Sequence, residues 1–445
     1  MKKDSLWWPK LIFAGNLLII LFFWYNGSPI NNNTDTIDIL MSIGRLSGLL
    51  LTYFLLIQLI LISRLKIIEN VLGHDKLTRW HRNFGISIGI FLLAHPLFLA
   101  FAYGLNNQIN WLKQLYNFIF FFDDIGGAAI ATLILILIIL LSTKIIGRRW
   151  KYEKWYLSHL FAYLTIFMSF GHQLELGGDF SQKLFVIYWY LLFIGFLLLY
   201  AYSRFIKPLN NYRLHQFKVS RVIRETSDVC SVYITGRKIA DFKFSGGQFG
   251  IFRFFNRDLF LEAHPFSFSN YQKGAELRIS IKKLGDFTNS LDKKLKPGTP
   301  VFIEGPLGVF TMKPNINKYL LIAGGIGITP IRSLAEELTT NNKDVQILVS
   351  VKNKSEEIFD SEISVLAQTP NVKYFKFYSE ESSETNESNV FSGRINFEKI
   401  KNLIPDWQSR EIYLCGPEKM ISSLNNDLIS AGLNKTQIHF ERFNV

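Results

Sequence analysis

Six long apolar runs in the first half of the chain limit what it can fold into. They lie near residues 7–25, 38–62, 81–103, 127–146, 156–174 and 184–203. Each is close to the roughly 20 residues that cross a bilayer as an α-helix. The composition agrees, because only 19% of the 445 residues are charged, against roughly a quarter in soluble domains. The sequence therefore predicts a six-helix transmembrane domain over residues 1–206.

Charge in the loops between these runs predicts how the helices are oriented. Lysine and arginine gather before the first run, between runs two and three, between runs four and five, and after the sixth. The other loops are neutral or acidic, so the positive-inside rule places both termini in the cytosol of a multi-pass plasma-membrane protein. Much of the net charge of +13 then serves topology, and no nucleic-acid partner is expected. The first run ends without a small-residue cleavage site, which argues against a removable signal peptide.

The second half of the chain has a different pattern. Short alternating strands separated by turns fill residues 207–314, and this predicts a small antiparallel β-barrel. Apolar strands that alternate with helical stretches fill residues 315–445, and this predicts an α/β domain with a parallel sheet. Residues 379–389, rich in Ser and Glu, are expected to form an exposed loop. Two cysteines, Cys230 and Cys415, are too few for an iron–sulfur cluster, which needs about four thiolates.

Four histidines fall inside the apolar runs, where ionisable residues are costly and usually functional. His81 and His95 are 14 residues apart, which on an α-helix puts them on one face at depths about 21 Å apart. His159 and His172 are 13 residues apart, with nearly the same rise but an angle about 140° off one face. A bend or π-bulge would have to realign this second pair. Two histidine pairs at matched depths could hold two iron macrocycles by both axial positions.

Other interpretations of these polar residues remain open. The four histidines could be separate structural side chains bonded to neighbouring helices. A zinc-transport site is a further alternative, although it would favour carboxylates that the adjoining runs lack. Arg45 lies inside the second run and needs a partner there. A haem propionate at the outer level would satisfy it, and its charge could attract an anion or stabilise reduced oxygen. An arginine that extends its head group to the outer surface is the alternative.

Two motifs in the second half suit phosphate groups. A strand that ends at Lys282 leads through Gly285 into a probable helix, where a pyrophosphate could bind the helix start. An apolar strand leads into the glycine turn Gly324-Gly325-Ile326-Gly327 and then into a helix with Pro330 in its first turn. This predicts a phosphate-binding βα unit, without the G-x-G-x-x-G form of the dinucleotide fingerprint.

The motifs in order resemble a known family. HPFSFS (264–269), GDFT (285–288), GPLG (305–308), AGGIGITP (323–330), CGPEKM (415–420) and a near-terminal ERF (441–443) resemble the ferredoxin–NADP reductase type of flavoprotein module. Joined to six runs with histidines spaced 14 and 13, residues 37–445 resemble the NADPH oxidase and ferric reductase superfamily. The short outer loops and the lack of a calcium-binding extension are most like compact bacterial NADPH oxidase homologues.

The resemblance implies cofactors and their residues. It implies two b-type haems, one held by His81 with His159 and one by His95 with His172. It implies FAD contacts at His264, Pro265, Phe266, Ser267, Lys282, Gly285, Asp286, Phe287 and Thr288. It implies nicotinamide dinucleotide contacts at Gly324, Gly325, Gly327, Thr329, Pro330, Cys415, Gly416 and Pro417. It also implies that Phe443 stacks on the flavin, although a phenylalanine that closes the core of the sheet is the alternative.

The function that follows is a transmembrane NAD(P)H oxidase. Cytosolic NADPH would reduce FAD, and electrons would pass through the two haems to oxygen on the outer side, giving superoxide. A ferric or cupric chelate reductase and an electron-transfer subunit for a partner protein in the envelope are the alternatives. Lys352 and Lys354 follow a predicted strand where a 2′-phosphate could bind, which favours NADPH without excluding NADH. A pair of solvated loop charges is the other interpretation of these lysines. The expected partners are NAD(P)H, oxygen and the lipid bilayer, and the sequence identifies no protein partner.

Overall fold

A computed structural model describes residues 7–30, 35–122, 125–143, 152–176, 178–257, 259, 262–271, 276–381 and 388–443. The chain separates into two compact units, Met1–Ile206 and Lys207–Val445. The predicted loop charges at residues 1–6, 123–124 and 144–151 lie outside the described residues, as does the 382–387 part of the predicted exposed loop.

Helices make up the first unit. They are α1 (Trp7–Gly27), α2 (Thr36–Ile62), α3 (Lys66–Leu72), α4 (His74–Asn106), α5 (Trp111–Phe121), α6 (Ile125–Leu141), α7 (Tyr152–Met168), α8 (Phe170–Leu176) and α9 (Lys183–Ala201). A 3₁₀ turn, Gly178–Ser181, precedes α9, and a π-helical turn, Tyr202–Ile206, follows it. The core of this unit centres on α2 and α9, with Tyr53, Leu56, Phe185 and Trp189 fully buried.

The predicted count of six membrane spans is not confirmed. Among the described residues, four helices are long and apolar enough to cross a membrane: Trp7–Gly27, Thr36–Ile62, Lys76–Asn106 and Lys183–His215. The pair Trp111–Phe121 and Ile125–Leu141 would make a fifth if it counts as one bent span. The fifth predicted run, 156–174, is divided between α7 and α8 by a turn at Ser169, so neither helix reaches the length of a span.

The first part of the second unit is antiparallel. It begins with α10 (Lys207–His215) and contains β1 (Lys218–Arg224), β2 (Val229–Thr235), β3 (Phe249–Phe254), β4 (His264–Ser267), β5 (Leu277–Lys282), α11 (Asp286–Lys294) and β6 (Val301–Leu307). The strands form two three-stranded sheets, β1-β2-β5 and β4-β3-β6. Both sheets contribute to one core, in which Val232, Phe252 and Ile279 are fully buried.

The predicted closed barrel is therefore not confirmed. Isolated bridges pair Lys218 with Pro300 and Phe268 with Ile279. Backbone hydrogen bonds from Val301 N to the carbonyl oxygen of Phe217 and from Ser269 N to that of Arg278 also connect the two sides, but the described strands remain two separate sheets. The physical reason for the antiparallel pairing still follows the sequence. Val219 of β1 and Phe252 and Phe254 of β3 face the shared core, whereas Phe249 and Ile251 of β3 belong to a second, smaller cluster. We call residues 216–307 the antiparallel half of the second unit.

The second part of this unit is a parallel sheet flanked by helices. Its elements are β7 (Lys318–Gly324), α12 (Ile328–Thr340), β8 (Asp344–Val351), α13 (Asp360–Leu366), β9 (Val372–Tyr378), β10 (Val390–Ser392), α14 (Phe397–Leu403), β11 (Glu411–Cys415), α15 (Glu418–Ser430) and β12 (Ile438–Glu441). The strand order is β10-β9-β8-β7-β11-β12, and every pairing is parallel. The nearly continuous burial of β7 and β11 is typical of strands covered on both faces. We call residues 318–441 the parallel half.

Strand order in the parallel half reverses between β7 and β11. After β7 the chain moves to β8, β9 and β10 on one side, and it then returns to place β11 on the other side of β7. In open parallel sheets, ligands bind outside the carboxyl ends of the strands at such a switch point. A ligand is therefore expected to bind near the residues that follow Gly324 and Cys415.

Candidate functional site

The structure brings the four intramembrane histidines together in two pairs. The ring centroids of His81 and His159 are 6.1 Å apart, and those of His95 and His172 are 6.3 Å apart. His81 and His95 lie on the continuous helix α4, whereas His159 lies on α7 and His172 on α8. The turn at Ser169 separates α7 from α8. This interruption lies between His159 and His172, where the spacing of 13 residues predicts a departure from a regular helix.

These pairs fit a metal held from two opposite sides. With histidine–metal bonds of about 2.0–2.1 Å, two facing imidazole rings have centroids roughly 6 Å apart, and both observed separations agree. The buried Nδ1 atoms of His81, His159 and His172 have no hydrogen-bond partner among the described residues. No group of three or more His, Cys, Asp or Glu in the described chain is placed to hold a metal. A macrocyclic iron group needs only two protein ligands, one on each face, so the donor set suits haem.

A hydrogen bond to the backbone fixes the ring of His95. Its Nδ1 lies 2.8 Å from the carbonyl oxygen of Gly44. Since a carbonyl can only accept, Nδ1 carries the proton and Nε2 is left with a free lone pair, which is the arrangement expected of a metal-binding histidine.

Two glycines on α2 make room for this arrangement. A Cβ atom at Gly48 would lie 2.7 Å from His95 Nδ1 and 2.8 Å from its Cε1. A Cβ atom at Gly44 would lie 2.8 Å from Leu99 Cδ2. Glycines four residues apart are a known means of close helix approach in membranes. Here they let α2 support the ring of His95.

Arg45 has a protein partner, so its charge does not need the haem propionate that the sequence suggested. Its Nη2 lies 2.5 Å from Asp179 Oδ1, and its Nε donates to Asp179 Oδ2 at 3.0 Å. Nη2 also donates to the carbonyl oxygen of Gly27 at 2.9 Å. Arg45 does not extend to the surface either, since both side chains of the pair are largely buried. The Asp179 carboxylate offsets the charge of the arginine, which thus ties α1 and α2 to the 3₁₀ turn.

Residues predicted to contact flavin meet at one edge of the antiparallel half. The ring of His264 stacks on Phe287 with centroids 3.9 Å apart, and Phe266 lies 6.5 Å from Phe287 in a nearly parallel orientation. His264 Nε2 lies 3.0 Å from Glu262 Oε2. Pro265 is exposed on the same strand, and Ser267 is buried. The structure thus joins the first flavin motif to the second through Phe287.

The start of α11 is open to a ligand. A Cβ atom at Gly285 would meet nothing within 4 Å. Thr288 Oγ1 accepts hydrogen bonds from the N–H groups of Leu284 and Gly285 at 2.9 and 3.0 Å, so this hydroxyl caps the helix. Asp286 begins the helix. Lys282 Nζ lies 3.1 Å from Asp228 and 3.8 Å from Glu356, so its charge is shared with two carboxylates.

At the switch point, glycines let two motifs touch. A Cβ atom at Gly327 would lie 2.2 Å from the carbonyl oxygen of Cys415, and one at Gly324 would lie 2.8 Å from Pro417 Cδ. Gly416 has φ of +157° and would bring a Cβ atom to 3.0 Å from Gly324 Cα. Only glycine fits these positions. The loops that follow β7 and β11 are therefore held in direct contact.

The turn after β7 keeps an open side. A Cβ atom at Gly325, which has φ of +53°, would meet nothing within 4 Å. Thr329 Oγ1 donates to the carbonyl oxygen of Ile326 at 3.0 Å, and Pro330 lies in the first turn of α12. Cys415 is fully buried in the core, and this burial raises the pKa of its thiol well above the ordinary value. The side chain is thus a neutral thiol at neutral pH.

Lys352 and Phe443 lie at the surface. Lys352 is exposed just after β8, and its carbonyl oxygen accepts from the N–H of Glu380 at 2.9 Å. The N–H of Lys354 donates to Glu381 Oε2 at 3.0 Å, so carboxylates adjoin the predicted 2′-phosphate position. Phe443 is 38% exposed and lies outside the cores that the described residues form. The interpretation of Phe443 as a residue that closes the core is therefore not supported.

Comparison with known families follows the same division of the chain. A family described as "Ferric reductase like transmembrane component" matches residues 47–170. An "FAD-binding domain" matches residues 214–356, and an "Oxidoreductase NAD-binding domain" matches residues 321–426. The chain has the domain architecture of the NADPH oxidase and ferric reductase superfamily. A transmembrane component is thus followed by an FAD-binding domain and an NAD-binding oxidoreductase domain.

Individual proteins similar to this chain match about half of it. A flavohemoprotein of Schizosaccharomyces pombe is 31% identical over 245 residues, which are 51% of this chain and 57% of the relative. A flavohemoprotein of Oceanobacillus iheyensis is 27% identical over 239 residues, 51% of this chain and 58% of the relative. A glycine betaine monooxygenase reductase subunit of Chromohalobacter salexigens is 26% identical over 237 residues, 52% and 64% of the two chains. The chain thus spans somewhat more than half the length of these relatives.

Two solved structures show similarity at low sequence identity. The FAD/NAD-binding domain of nitric oxide dioxygenase from Vibrio cholerae has 24% identity and a TM-score of 0.45, covering 51% of this chain and 98% of that one. A flavohemoglobin from Malassezia yamatoensis has 19% identity and a TM-score of 0.46, covering 91% and 96%.

Some residues of the site could not be identified from sequence patterns. Asp179, the partner of Arg45, stands in the sequence only as one acidic residue of a predicted loop. Gly44 and Gly48 flank Arg45, and their spacing of four inside an apolar run is the signal that could have revealed a close helix contact.

Proposed function

We propose that this chain is a transmembrane NAD(P)H oxidase that moves electrons from cytosolic NADPH to oxygen on the outer side and produces superoxide. The observation that carries the proposal is the arrangement of two histidine pairs, with centroid separations of 6.1 and 6.3 Å, in a chain that also has FAD- and NAD-binding domains. When bound, FAD accepts a hydride from the nicotinamide and releases its electrons singly, and each haem passes on one electron at a time.

The histidine pairs would hold two b-type haems at two depths. His81 and His159 would provide the ligands at the inner level, and His95 and His172 those at the outer level. With one histidine on each face, the residues of each pair would leave no iron position for oxygen, and each haem would supply one-electron transfer.

The second unit would bind the other two cofactors. His264, Phe266 and Phe287 offer ring faces to the flavin, and the open start of α11 at Gly285 suits the FAD pyrophosphate. The open side of the turn at Gly325 would receive the nicotinamide dinucleotide phosphates, and the loop after Cys415 would approach the nicotinamide. Phe443, exposed in the chain alone, would cover the flavin and move aside for the nicotinamide.

Sidedness follows from the loop charges. Basic loops face the cytosol under the positive-inside rule, which puts both termini and the entire second unit inside the cell. The nicotinamide site and the outer histidine pair would then lie on opposite sides of the plasma membrane.

Arg45 does not support oxygen over the other possible electron acceptors. Its charge is offset by Asp179, so it offers little attraction to an anion. What supports oxygen is the lack of clustered Met, Cys or His in the sequence of the predicted outer loops, which a metal reductase would use. A chelate reductase and an electron-transfer subunit for an envelope protein are therefore the competing outcomes of the test.

The decisive experiment measures the product with purified protein, FAD, haem and NADPH. We expect cytochrome c to be reduced and superoxide dismutase to abolish most of that reduction. Reduction that the dismutase does not affect, together with fast reduction of ferric citrate, would indicate the metal reductase. No steady turnover with either acceptor, despite reduced haem, would indicate a missing protein partner.

Inverted membrane vesicles test the sidedness. External NADPH should generate superoxide that is trapped inside the vesicles, where added dismutase cannot reach it. Superoxide that appears only outside would contradict the proposed topology.

A further inference from the structure

An arginine of the antiparallel half is held by a carboxylate of the parallel half. Arg278 on β5 places its Nη1 2.6 Å from Glu362 Oε1, and its Nη2 lies 2.9 Å from Glu362 Oε2. Glu362 lies on α13, 84 residues further along the chain. The paired geometry is the bidentate form, which adds directional specificity to the attraction of the charges. One side chain therefore fixes both the distance and the angle between two elements of different halves.

The guanidinium of Arg278 is enclosed on its other sides. Nη2 donates to the carbonyl oxygen of Ser269 at 2.8 Å, and Nε donates to Ser269 Oγ at 3.2 Å. The charged group also lies 4.2 Å from the ring centroid of Phe359, a distance typical of cation–π contact. Phe359 has φ of +63°, a left-handed conformation that a bulky residue adopts only when its surroundings impose it. Arg278 is thus held rigidly from both halves.

A second arginine strengthens the same connection. Arg332 on α12 places Nη2 2.7 Å from Glu362 Oε2 and also pairs with Glu336. Its Nη1 donates to the carbonyl oxygen of Ser269 at 3.3 Å. The neighbouring Ser333 Oγ donates to the carbonyl oxygen of Asn270 at 2.9 Å. We call the four charged residues Arg278, Arg332, Glu336 and Glu362 the clasp.

The clasp joins the two elements that lead to the cofactor sites. β5, which carries Arg278, ends at Lys282 just before the open helix start at Gly285. α12, which carries Arg332, begins directly after the glycine turn Gly325–Gly327. A buried ion pair adds little to stability, since desolvation offsets the attraction of its charges. Its rigid geometry, however, can fix where the two cofactor-binding segments lie relative to each other.

We propose that the clasp positions the nicotinamide against the flavin, so that Arg278, Arg332 and Glu362 are positioning residues for hydride transfer. This inference rests on the proposed transfer from NAD(P)H to FAD. Misplacement of reacting atoms by about 1 Å, even through a change far from the chemistry, can slow a reaction by about a hundredfold. The nucleotide itself binds to the parallel half, so binding strength should depend little on the clasp.

The chain contains a matched control for this idea. Arg410 makes a bidentate pair with Asp344 at 2.8 and 3.1 Å, and both residues belong to the parallel half. The side chains are 5% and 34% exposed in Arg278–Glu362, and 4% and 37% exposed in Arg410–Asp344. Glu362→Gln and Asp344→Asn therefore each remove one carboxylate from a bidentate pair of similar burial, one across the halves and one within a half. Arg410 keeps Asp406 as a second partner.

The experiment compares the two variants as purified full-length proteins loaded with FAD. Anaerobic stopped-flow absorbance gives the limiting rate of flavin reduction and the NADPH concentration for half the limiting rate, and thermal denaturation gives the melting temperature. We expect Glu362→Gln to lower the limiting rate by roughly tenfold to a hundredfold, with flavin content and half-saturation unchanged within about twofold. Asp344→Asn should keep the limiting rate and lower the melting temperature less than Glu362→Gln does, because Asp406 still pairs with Arg410.

The other possible results would contradict either the positioning role of the clasp or the proposed function. Equal limiting rates in Glu362→Gln and the unaltered protein would overturn the positioning role, and so would equal losses in both variants. If Glu362→Gln does not fold, Glu362→Asp keeps the charge but withdraws it by one methylene, and an unchanged limiting rate there would overturn the role as well. If NADPH and NADH fail to reduce the flavin of the unaltered protein, the proposed function fails instead.

Discussion

Replacing Gly48 with alanine is expected to prevent binding of the outer of the two proposed haems and to leave binding of the inner one intact. The new methyl group would lie 2.7 Å from His95 Nδ1 and 2.8 Å from His95 Cε1. Carbon and nitrogen atoms rest about 3.5 Å apart in ordinary contact, so the ring must retreat by about 0.7 Å. The backbone of α2 cannot yield instead, because it packs closely on α4 along the face that includes Gly44.

A displacement of this size exceeds what a metal site accepts. Ligand distances in real sites stay within about 0.2 Å of their ideal values, so the imidazole would lose its bond to iron. The hydrogen bond from His95 Nδ1 to Gly44, 2.8 Å long, would also stretch. The helix itself should not suffer, since alanine in a helix interior is more favourable than glycine by about 1 kcal/mol.

Haem content of the purified protein, measured as the pyridine haemochrome, gives a direct test. We expect Gly48→Ala to fall from two haems per chain to one, while NADPH still reduces the flavin. Gly89→Ala on α4 is the control, because its methyl group would lie 3.6 Å from Ile139 Cδ1, an ordinary contact. Two haems with an unchanged absorption spectrum in Gly48→Ala would refute the assignment of His95 as a ligand held against α2.

Three further predictions concern single side chains. Asp179→Asn leaves Arg45 as an unpaired buried charge and should lower the free energy of unfolding by about 3 kcal/mol. Thermal denaturation in detergent measures the loss of stability, and an unchanged midpoint would contradict the structural role of the pair. Phe443→Ser should tighten nicotinamide binding and relax the choice between NADPH and NADH without a lower melting temperature, which steady-state kinetics with both coenzymes can check. Burial raises the pKa of Glu337 to about 7, where its carboxylate accepts from the N–H of Gly246 at 2.8 Å. The folded state then keeps a proton that the unfolded chain releases near pH 4.5. The stability that this carboxyl group contributes is therefore full at low pH and is lost as the pH rises to about 7. Melting temperatures measured between pH 5 and 8 should depend less on pH in Glu337→Gln than in the unaltered protein.

The pairing of the histidines could be predicted from the sequence because it depends on the spacing of residues along each helix. Rise per residue alone sets His81 and His95 at two depths, and it gives His159 and His172 nearly the same separation. The mismatch in angle on the second helix predicts a departure from a regular helix, and the turn at Ser169 interrupts the helix between these two histidines. Their role as haem ligands stays a prediction.

Contacts between segments that are far apart in the chain could not be predicted from the sequence. Asp179 follows Arg45 by 134 residues, and no local pattern indicates which acidic residue of which loop will meet a buried arginine. The clasp has the same character, because Arg278 and Glu362 belong to strands and helices whose relative placement only the folded chain fixes. In both cases the sequence shows that a charge needs a partner, and topology selects the partner.

The membrane-spanning helices and the sheets could be predicted from the sequence only in part. The apolar runs correctly gave the long helices α1, α2, α4 and α9, since hydropathy reports burial over many residues. It does not report a helix break, so the run 156–174 gave one predicted helix where the structure has two. Alternation likewise gave antiparallel strands, but closure of a barrel depends on strand register and twist, which alternation does not encode.

The break at Ser169 also sets how the two histidine levels can vary independently. On α4, His81 and His95 share one continuous helix, so a rotation of that helix would turn both rings together. On the opposite side, His159 and His172 lie on separate segments and can be adjusted one at a time. Substitutions near His172 are therefore expected to move the ring of His172 without moving that of His159. The four rings are thus carried by one shared helix on one side and by two separate helices on the other.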